Sequence, residues 1–236
     1  MDIHVNKLGQ PIGEPVEWTA VKAPERTVLE GRFCRVEPIN IERHAVDLFA
    51  AFSADTDDAI WTYLPYGPFH QLVELQDWMA ATCLGSDPMF HAIIDSATDK
   101  AVGVASYLRI DPKNGVIEVG HINFSPALQK TAAATEAMYL MMRNVFDMGY
   151  RRYEWKCNAM NEGSMLAAER LGFRYEGMFR QAAVVKGRNR DTAWFSILDS
   201  EWPAMREGFE AWLKPENFEN GQQIESLATK MGLPHA

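Results

Sequence analysis

The segment SPALQKTAAATE, residues 125–136, marks the point at which the periodicity of the chain changes. Before it, VIEVGHINF at 116–124 is rich in β-branched and aromatic residues, which predicts a strand. After it, apolar residues recur at i, i+3, i+4 and i+7 over 132–148, which predicts a helix packed on a sheet. The residues that define this stripe are Met138, Met141, Met142 and Val145. A strand that leads into a crossover helix indicates an α/β or α+β fold.

The start of this helix is suited to binding phosphate. The first amides of a helix have no intrahelical acceptor, and the helix dipole adds partial positive charge there. Thr131 is a suitable N-cap, and the alanines after it leave room for a pyrophosphate to approach the backbone. The alternative is an ordinary capped helix whose alanines reflect helix propensity. The predicted phosphate-binding residues are Gln129, Lys130, Thr131, Ala132, Ala133, Ala134 and Thr135.

The rest of the pattern predicts a mixed sheet flanked by helices. Strands are predicted at 33–38, 89–95, 101–110, 116–124 and 152–157, followed by two strands joined by a turn at 186–189. Further helices are predicted at 41–53, 70–84 and 161–172, and the residues from 199 onward are predicted to be helical and peripheral. Prolines and glycines without periodicity predict an extended arm at 1–31.

Composition and charge limit the class of protein. With 236 residues, 47% of them hydrophobic, the chain is typical of a soluble globular protein. Its formal net charge of −9 disfavours nucleic acid as a partner, because phosphates gain no attraction from an acidic protein. No segment has the length of a membrane span, and the N-terminus has no basic region followed by an apolar core. We therefore expect a cytoplasmic protein that binds neither nucleic acid nor a membrane.

Cysteines and histidines show no spacing typical of a disulfide framework or a metal site. Cys34, Cys83 and Cys157 lie far apart and include no CxxC pair, which favours reduced thiols inside the fold. The histidines form no zinc motif either. We predict no metal site.

The segment GHINFSPALQKTAAATEAMYLMM resembles the acetyl-coenzyme A binding motif of the GNAT N-acetyltransferases, whose pattern is Gln/Arg-x-x-Gly-x-Gly/Ala. The matching residues are Gln129, Ala132 and Ala134, so alanine stands at both glycine positions. Downstream, NAMNEGSMLAAERLGFRYEG resembles the family's Asn-x-x-Ser block, which is followed by a helix and Leu-Gly-Phe. Arg190 and Asp191 match the late Arg-Asp of the RimJ/RimL subgroup. Two blocks in the right order and spacing are more specific than either alone.

This resemblance implies a domain layout and a reaction. A GNAT domain would occupy 32–200, between the N-terminal arm at 1–31 and a C-terminal helical extension at 201–236. Its sheet would be mixed and mostly antiparallel, with the parallel strands 116–124 and 152–157 splayed apart at the acetyl-CoA site. A primary amine would attack acetyl-CoA directly in a ternary complex, and coenzyme A would leave as the product.

The same resemblance assigns residues to the site. Backbone amides near Asn123 and Phe124 would contact the thioester oxygen. Asn161 would bind pantetheine or orient the acceptor, and it is also a suitable N-cap for the helix that follows. Ser164 would protonate the leaving thiolate, although a hydroxyl in a first helical turn also satisfies local backbone groups.

Two side chains of the strand 116–124 are candidates for the base that deprotonates the amine. Glu118 matches an acidic position common in the subgroup and ranks first, with a structural salt bridge as the alternative. His121 is nearer to Phe124 along the chain. Regular alternation would place Glu118 and His121 on opposite faces of the strand.

The loop WTYLPYGPF at 61–69 combines aromatic residues with prolines between two predicted helices. Such a loop serves either as a lid on the core or, by the resemblance, as one wall of the acceptor pocket. The substrate-pocket candidates are Trp61, Tyr63 and Tyr66. Three charged residues near the last turn are expected to hold the hairpin together rather than to contact substrate: Arg188, Arg190 and Asp191.

Two functions of different class fit the sequence. The first is an acetyl-CoA-dependent N-acetyltransferase whose acceptor is a protein N-terminus, an amino acid or a small-molecule amine. The second is a non-catalytic acyl-CoA binding or interaction module, which the loss of both motif glycines supports. Asn161 and Ser164 favour the enzyme. The sequence leaves open the identity of the acceptor and the formation of a homodimer.

Overall fold

The structure is a computed structural model that describes residues 4–233, and an eight-stranded sheet forms its centre. Residues 1–3 of the predicted arm and 234–236 of the predicted C-terminal extension lie outside the described residues. The strands are β1 (His4–Val5), β2 (Pro11–Ile12), β3 (Leu29–Glu30), β4 (Cys34–Pro38), β5 (Met89–Asp95), β6 (Lys100–Asp111), β7 (Val116–Phe124), β8 (Arg152–Asn158), β9 (Arg174–Val185), β10 (Arg188–Leu198), β11 (Phe218–Glu219) and β12 (Gln222–Gln223). The helices are α1 (Ile41–Phe52), α2 (Leu72–Trp78), α3 (Ala132–Asp147), α4 (Glu162–Arg170), α5 (Trp202–Trp212) and α6 (Leu227–Met231), and a π turn (Met79–Cys83) extends α2.

The central sheet has the strand order β3-β4-β5-β6-β7-β8-β10-β9. Its neighbouring strands are antiparallel except for β7 and β8, which α3 connects in parallel. The predicted mixed, mostly antiparallel sheet flanked by helices is therefore confirmed. The predicted strands and helices between 33 and 198 are all present, with ends that differ by a few residues.

Apolar residues on the two faces of the sheet form two separate cores. Along β6, Ala105 and Tyr107 belong to the core under α3, whereas Val104 belongs to the core under α1 and α2. This alternation follows from the two-residue period of a strand. The sheet therefore separates the α3 side from the side covered by α1, α2 and the aromatic loop.

The C-terminal residues are helical as predicted but not peripheral. Trp202 and Phe209 of α5 are buried against Tyr139 of α3, with ring centroids 6.1 Å and 5.2 Å from the Tyr139 ring. Large aromatic side chains bury much apolar surface, so α5 contributes to the main core. The chain after α5 forms the short hairpin β11–β12 before α6.

The N-terminal region was predicted to be an extended arm, but it begins with the antiparallel hairpin β1–β2. It then runs without regular secondary structure to β3, which pairs with β4 and joins the sheet. Trp18 Nε1 donates a hydrogen bond to the Lys113 carbonyl at 2.7 Å, and Tyr150 Oη donates one to the Lys22 carbonyl at 3.1 Å. These contacts hold the extended region on the loop before β7 and the end of α3. The exact boundary of the arm stays a prediction.

Cys34, Cys83 and Cys157 are free and buried, as expected. Burial raises the pKa of the Cys83 thiol to about 12. Across residues 4–233, no helix has both the length and the apolar character that a membrane crossing needs.

Candidate active site

β7 and β8 pair over only four residues and then separate. The pairing runs from Val116 with Arg152 to Val119 with Trp155. Beyond Val119, the two strands flank a cavity of about 260 Å³. The opening has the form that was predicted for the acetyl-CoA site.

A β-bulge in β7 changes which side chains face this cavity. Asn123 pairs with Val104 and Gly120 pairs with Ser106, so two residues of β7 lie opposite one residue of β6. His121 sits in this bulge with a φ of 50°. A bulge interrupts the alternation of a strand. Glu118 and His121 therefore both line the cavity, whereas regular alternation predicted opposite faces.

The open edge of β7 presents the backbone of Phe124. Ser125 N donates to the Val102 carbonyl at 3.1 Å, so alternation directs the amide of Asn123 toward β6 and that of Phe124 away from it. Gln129 Nε2 donates to the Phe124 carbonyl at 2.9 Å on this same edge. Of the two predicted backbone contacts, the geometry favours Phe124 and turns Asn123 toward the neighbouring strand.

The start of α3 leaves several amides without a protein acceptor. Thr131 caps the helix as predicted, because its Oγ1 accepts a hydrogen bond from Ala134 N at 3.2 Å. The amides of Gln129, Thr131 and Thr135 bond to backbone carbonyls nearby. Among the described residues, the amides of Lys130, Ala132 and Ala133 have no acceptor. Three donors at a helix N-terminus form a ready site for an anion.

Ser164 and Asn161 lie at the β8 side of the cavity. Asn161 caps α4, because its Oδ1 accepts a hydrogen bond from Ser164 N at 3.1 Å. Trp155 Nε1 donates to Ser164 Oγ at 3.0 Å. Since the indole occupies an acceptor site of the hydroxyl, the Ser164 proton remains able to donate elsewhere.

Glu118 lies between two cations on the side of the sheet opposite α3. Its Oε2 is 2.6 Å from Arg109 Nη1 and 2.8 Å from Lys156 Nζ. Burial raises the pKa of the Glu118 carboxyl, and the two cations oppose that effect. The salt bridge that was left as an alternative for Glu118 is therefore present, and its role in catalysis stays a proposal.

His121 contacts the aromatic loop. Its Nδ1 lies 3.2 Å from Tyr66 Oη, and the two rings stack with centroids 5.7 Å apart. Burial lowers the pKa of His121 to about 4, and the nearby charges of Arg109 and Arg190 act in the same direction. The imidazole is therefore neutral at pH 7.

The aromatic loop contributes both to the core and to the cavity wall. Trp61 is 3% exposed and packs in the core under α1 and α2. Tyr63 lines the cavity and donates a hydrogen bond from Oη to the Met160 carbonyl at 2.9 Å. Lys186 Nζ, from the turn between β9 and β10, donates to the Trp61 carbonyl at 2.9 Å. The three substrate-pocket candidates thus divide into a core residue, a wall residue and the partner of His121.

Sequence analysis did not place in the cavity the three cations that line it: Arg109, Lys156 and Arg190. Lys156 alternates with apolar residues in the strand RYEWKC, and that pattern alone is typical of an ordinary strand with one polar face. Arg109 has a φ of 48°, which nothing in the sequence indicated. Arg190 was expected to hold the hairpin together. Asp191 fits that expectation instead, since its Oδ1 accepts hydrogen bonds from Gln181 N and Asn189 Nδ2 at 2.7 Å and 3.0 Å.

The histidine, cysteine and acidic side chains between residues 4 and 233 form no cluster of three or more that could hold a metal ion.

Comparison with known proteins places this geometry in a family. A family model described as an acetyltransferase (GNAT) domain matches residues 35–174. A crystal structure of a GCN5-related N-acetyltransferase from Brucella melitensis is 49% identical, with a TM-score of 0.90, and covers 92% of this chain and 99% of its own. The ribosomal-protein-serine acetyltransferase of Escherichia coli is 30% identical over 105 residues, which is 44% of this chain and 58% of that protein.

A more distant structure shares the fold alone. The ribosomal α-N-protein acetyltransferase RimL, solved in complex with coenzyme A, is 16% identical with a TM-score of 0.60 over 73% of this chain and 98% of its own. The residues that the family model matches run from β4 to the start of β9 and include β7, the crossover helix α3 and β8. This chain therefore belongs to the GNAT acetyltransferase family, and its relatives include acetyltransferases of the RimJ/RimL type.

Proposed function

We propose that this chain transfers an acetyl group from acetyl-CoA to a primary amine, which attacks the thioester directly in a ternary complex. One observation carries the proposal. β7 and β8 separate between the start of α3, which has free amides, and a cavity lined by Ser164 and His121. Binding groups and candidate proton-transfer groups therefore meet along one path through the sheet.

The residues at the start of α3 would hold the pyrophosphate. The amides of Lys130, Ala132 and Ala133 can each donate a hydrogen bond to a phosphate oxygen, and the dipole of the 16-residue helix favours negative charge there. Alanine is compatible with the helical backbone at both positions where the family motif has glycine. Ala132 and Ala134 are half-buried.

The side chains and backbone around the opening would support the transfer step. Bound acetyl-CoA supplies an activated acetyl thioester and a thiolate leaving group. The Phe124 amide faces the open edge of β7, where it can donate a hydrogen bond to the oxygen that gains negative charge. Ser164 Oγ, held by Trp155, can donate its proton to the departing sulfur. Asn161 fixes the first turn of α4 and thereby the position of Ser164.

His121 is the proton acceptor that the geometry favours. When Nδ1–H donates to Tyr66 Oη, Nε2 of the neutral ring carries a lone pair that can accept a proton from the amine. Glu118 is less suited, because both Arg109 and Lys156 already bind its Oε2. We assign Glu118 the role of positioning these two cations in the cavity.

The acceptor is proposed to be a protein N-terminus, an amino acid or a small-molecule amine. Direct testing requires purified protein, acetyl-CoA and a panel of such amines, with release of free coenzyme A followed by thiol detection and the acetylated product identified by mass spectrometry. Amine-dependent coenzyme A release supports the enzyme. Tight acetyl-CoA binding without turnover for every amine would instead support a non-catalytic acyl-CoA module. We place the reaction in the cytoplasm, where three unpaired buried cysteines remain reduced.

A further inference from the structure

Arg190 is a half-buried cation of the cavity with no carboxylate partner among residues 4–233. Its Nε donates a hydrogen bond to Thr192 Oγ1 at 3.2 Å, which uses one of five N–H donors. Burial lowers the pKa of Arg190, and the Glu118 carboxylate, which forms its ion pairs with Arg109 and Lys156, acts against that shift.

The other charged side chains that line the cavity, Arg109, Glu118 and Lys156, belong to one network of ion pairs. Cations and carboxylates alternate in this network, and the N–O distances of its ion pairs lie between 2.5 and 2.8 Å. Its members in order are Arg109, Glu118, Lys156, Glu154, Arg152 and Glu176. Because three cations balance three carboxylates, this network of ion pairs has no net charge. Arg190 therefore leaves the cavity with a surplus positive charge, although the whole protein carries −9.

A partly desolvated guanidinium with free donors is costly unless something binds it. Its planar fork matches the two oxygens of a carboxylate or a phosphate. Arg190 and His121 line the same cavity, and the Arg190 charge contributes to the low pKa of the His121 ring. A ligand anion at Arg190 would therefore sit close to the proposed proton acceptor.

We propose that the acceptor amine carries an anionic group, a carboxylate or a phosphate, which binds Arg190 while the amine lies beside His121. The proposal rests on the proposed acetyl transfer and narrows its substrate class to amines with a nearby negative charge.

The test compares amines that differ only in the anion. Amino acids are paired with their amides, and O-phosphoethanolamine is paired with ethanolamine, at fixed saturating acetyl-CoA. We expect kcat/KM to be about 10- to 100-fold higher for the anionic member of at least one pair, the range for a charge-assisted hydrogen bond. The pair that shows the preference identifies carboxylate or phosphate as the anion.

Arg190→Gln should abolish this preference, and Arg190→Lys should retain part of it, because lysine keeps the charge but loses the fork. Arg188→Gln is the matched control, since Arg188 is an exposed cation two residues away on the same strand. Equal rates for anionic and neutral members, or a preference that survives Arg190→Gln, would overturn the inference while leaving acetyl transfer intact. Absence of coenzyme A release with every amine would instead overturn the proposed function and this inference with it.

Discussion

The indole N–H of Trp155 donates a hydrogen bond to Ser164 Oγ at 3.0 Å, and both residues line the cavity between β7 and β8. Trp155 belongs to the strand that separates from β7, whereas Ser164 lies in the first turn of α4. The bond therefore fixes the hydroxyl relative to the opening of the sheet. It links the local helix start to the site of the proposed chemistry.

Ser164→Ala should lower kcat by about 10- to 100-fold with little change in the KM for acetyl-CoA, because proton donation to the thiolate matters only as the bond breaks. Trp155→Phe should have the same sign and a smaller effect, since the hydroxyl remains but loses its hydrogen bond. Steady-state kinetics with the exposed variant Ser86→Ala as control measure both. A rise in KM alone would make Ser164 a binding residue.

Ala132→Val should weaken coenzyme A binding by about tenfold or more. The β-branched side chain would crowd the amides of Lys130 and Ala133, while its cost to the helix is below about 1 kcal/mol. Isothermal calorimetry gives the affinity, and thermal unfolding shows whether the fold is retained. Ala182→Val on the exposed strand β9 is the matched control. Unchanged affinity in a folded Ala132→Val protein would remove the start of α3 as the phosphate site.

The sequence predicted the sheet and the helix caps because these depend on local chemistry. Thr131 and Asn161 cap their helices as their side chains suggested. The sequence did not predict the direction of the His121 side chain, because a left-handed backbone is rare for a residue other than glycine. It also failed at Arg190, because a cation in a hairpin looks the same in sequence whether or not a counterion faces it. The cavity arises from strand separation, which depends on packing across the whole sheet.

His121→Asn should lower kcat/KM and remove the lower acidic limb of its pH profile, whereas the limb set by protonation of the amine itself should remain. The lower limb of the wild-type protein should lie toward pH 4, because burial holds the pKa of His121 near that value and the ring accepts a proton only when neutral. Tyr66→Phe should lower kcat/KM less, since it removes only the partner of Nδ1.

Glu118→Gln tests the other candidate for the base that deprotonates the amine. It should preserve the lower acidic limb if Glu118 only positions Arg109 and Lys156. Loss of the limb in Glu118→Gln together with its retention in His121→Asn would assign deprotonation to Glu118. A parent-like profile in both variants would assign it to bulk water.

Lys156→Met should destabilise the protein by about 3–5 kcal/mol at pH 7, because it leaves the buried carboxylates of Glu118 and Glu154 without the cation between them. Lys156 lowers the pKa of the Glu118 carboxyl, so its loss raises that pKa in the folded variant. The deficit is then largest when Glu118 is ionised and shrinks as acidification protonates it. Chemical denaturation at pH 7 and pH 5 measures this, with the exposed Lys100→Met as control. A deficit that grows on acidification would contradict the pairing.

His91 should make the folded state less stable as the pH falls from about 6.5 toward 4. The side chain is 1% exposed, and burial lowers its pKa from 6.5 to about 4. Above pH 6.5 the ring is neutral in both states, so it adds no pH dependence. Between pH 6.5 and pH 4, His91 is protonated in the unfolded state but not in the folded state. The free energy of unfolding therefore falls by up to about 1.4 kcal/mol per pH unit. His91→Leu should therefore show a shallower loss of unfolding free energy across this interval in urea titrations, and an identical slope would show that His91 is protonated inside the fold.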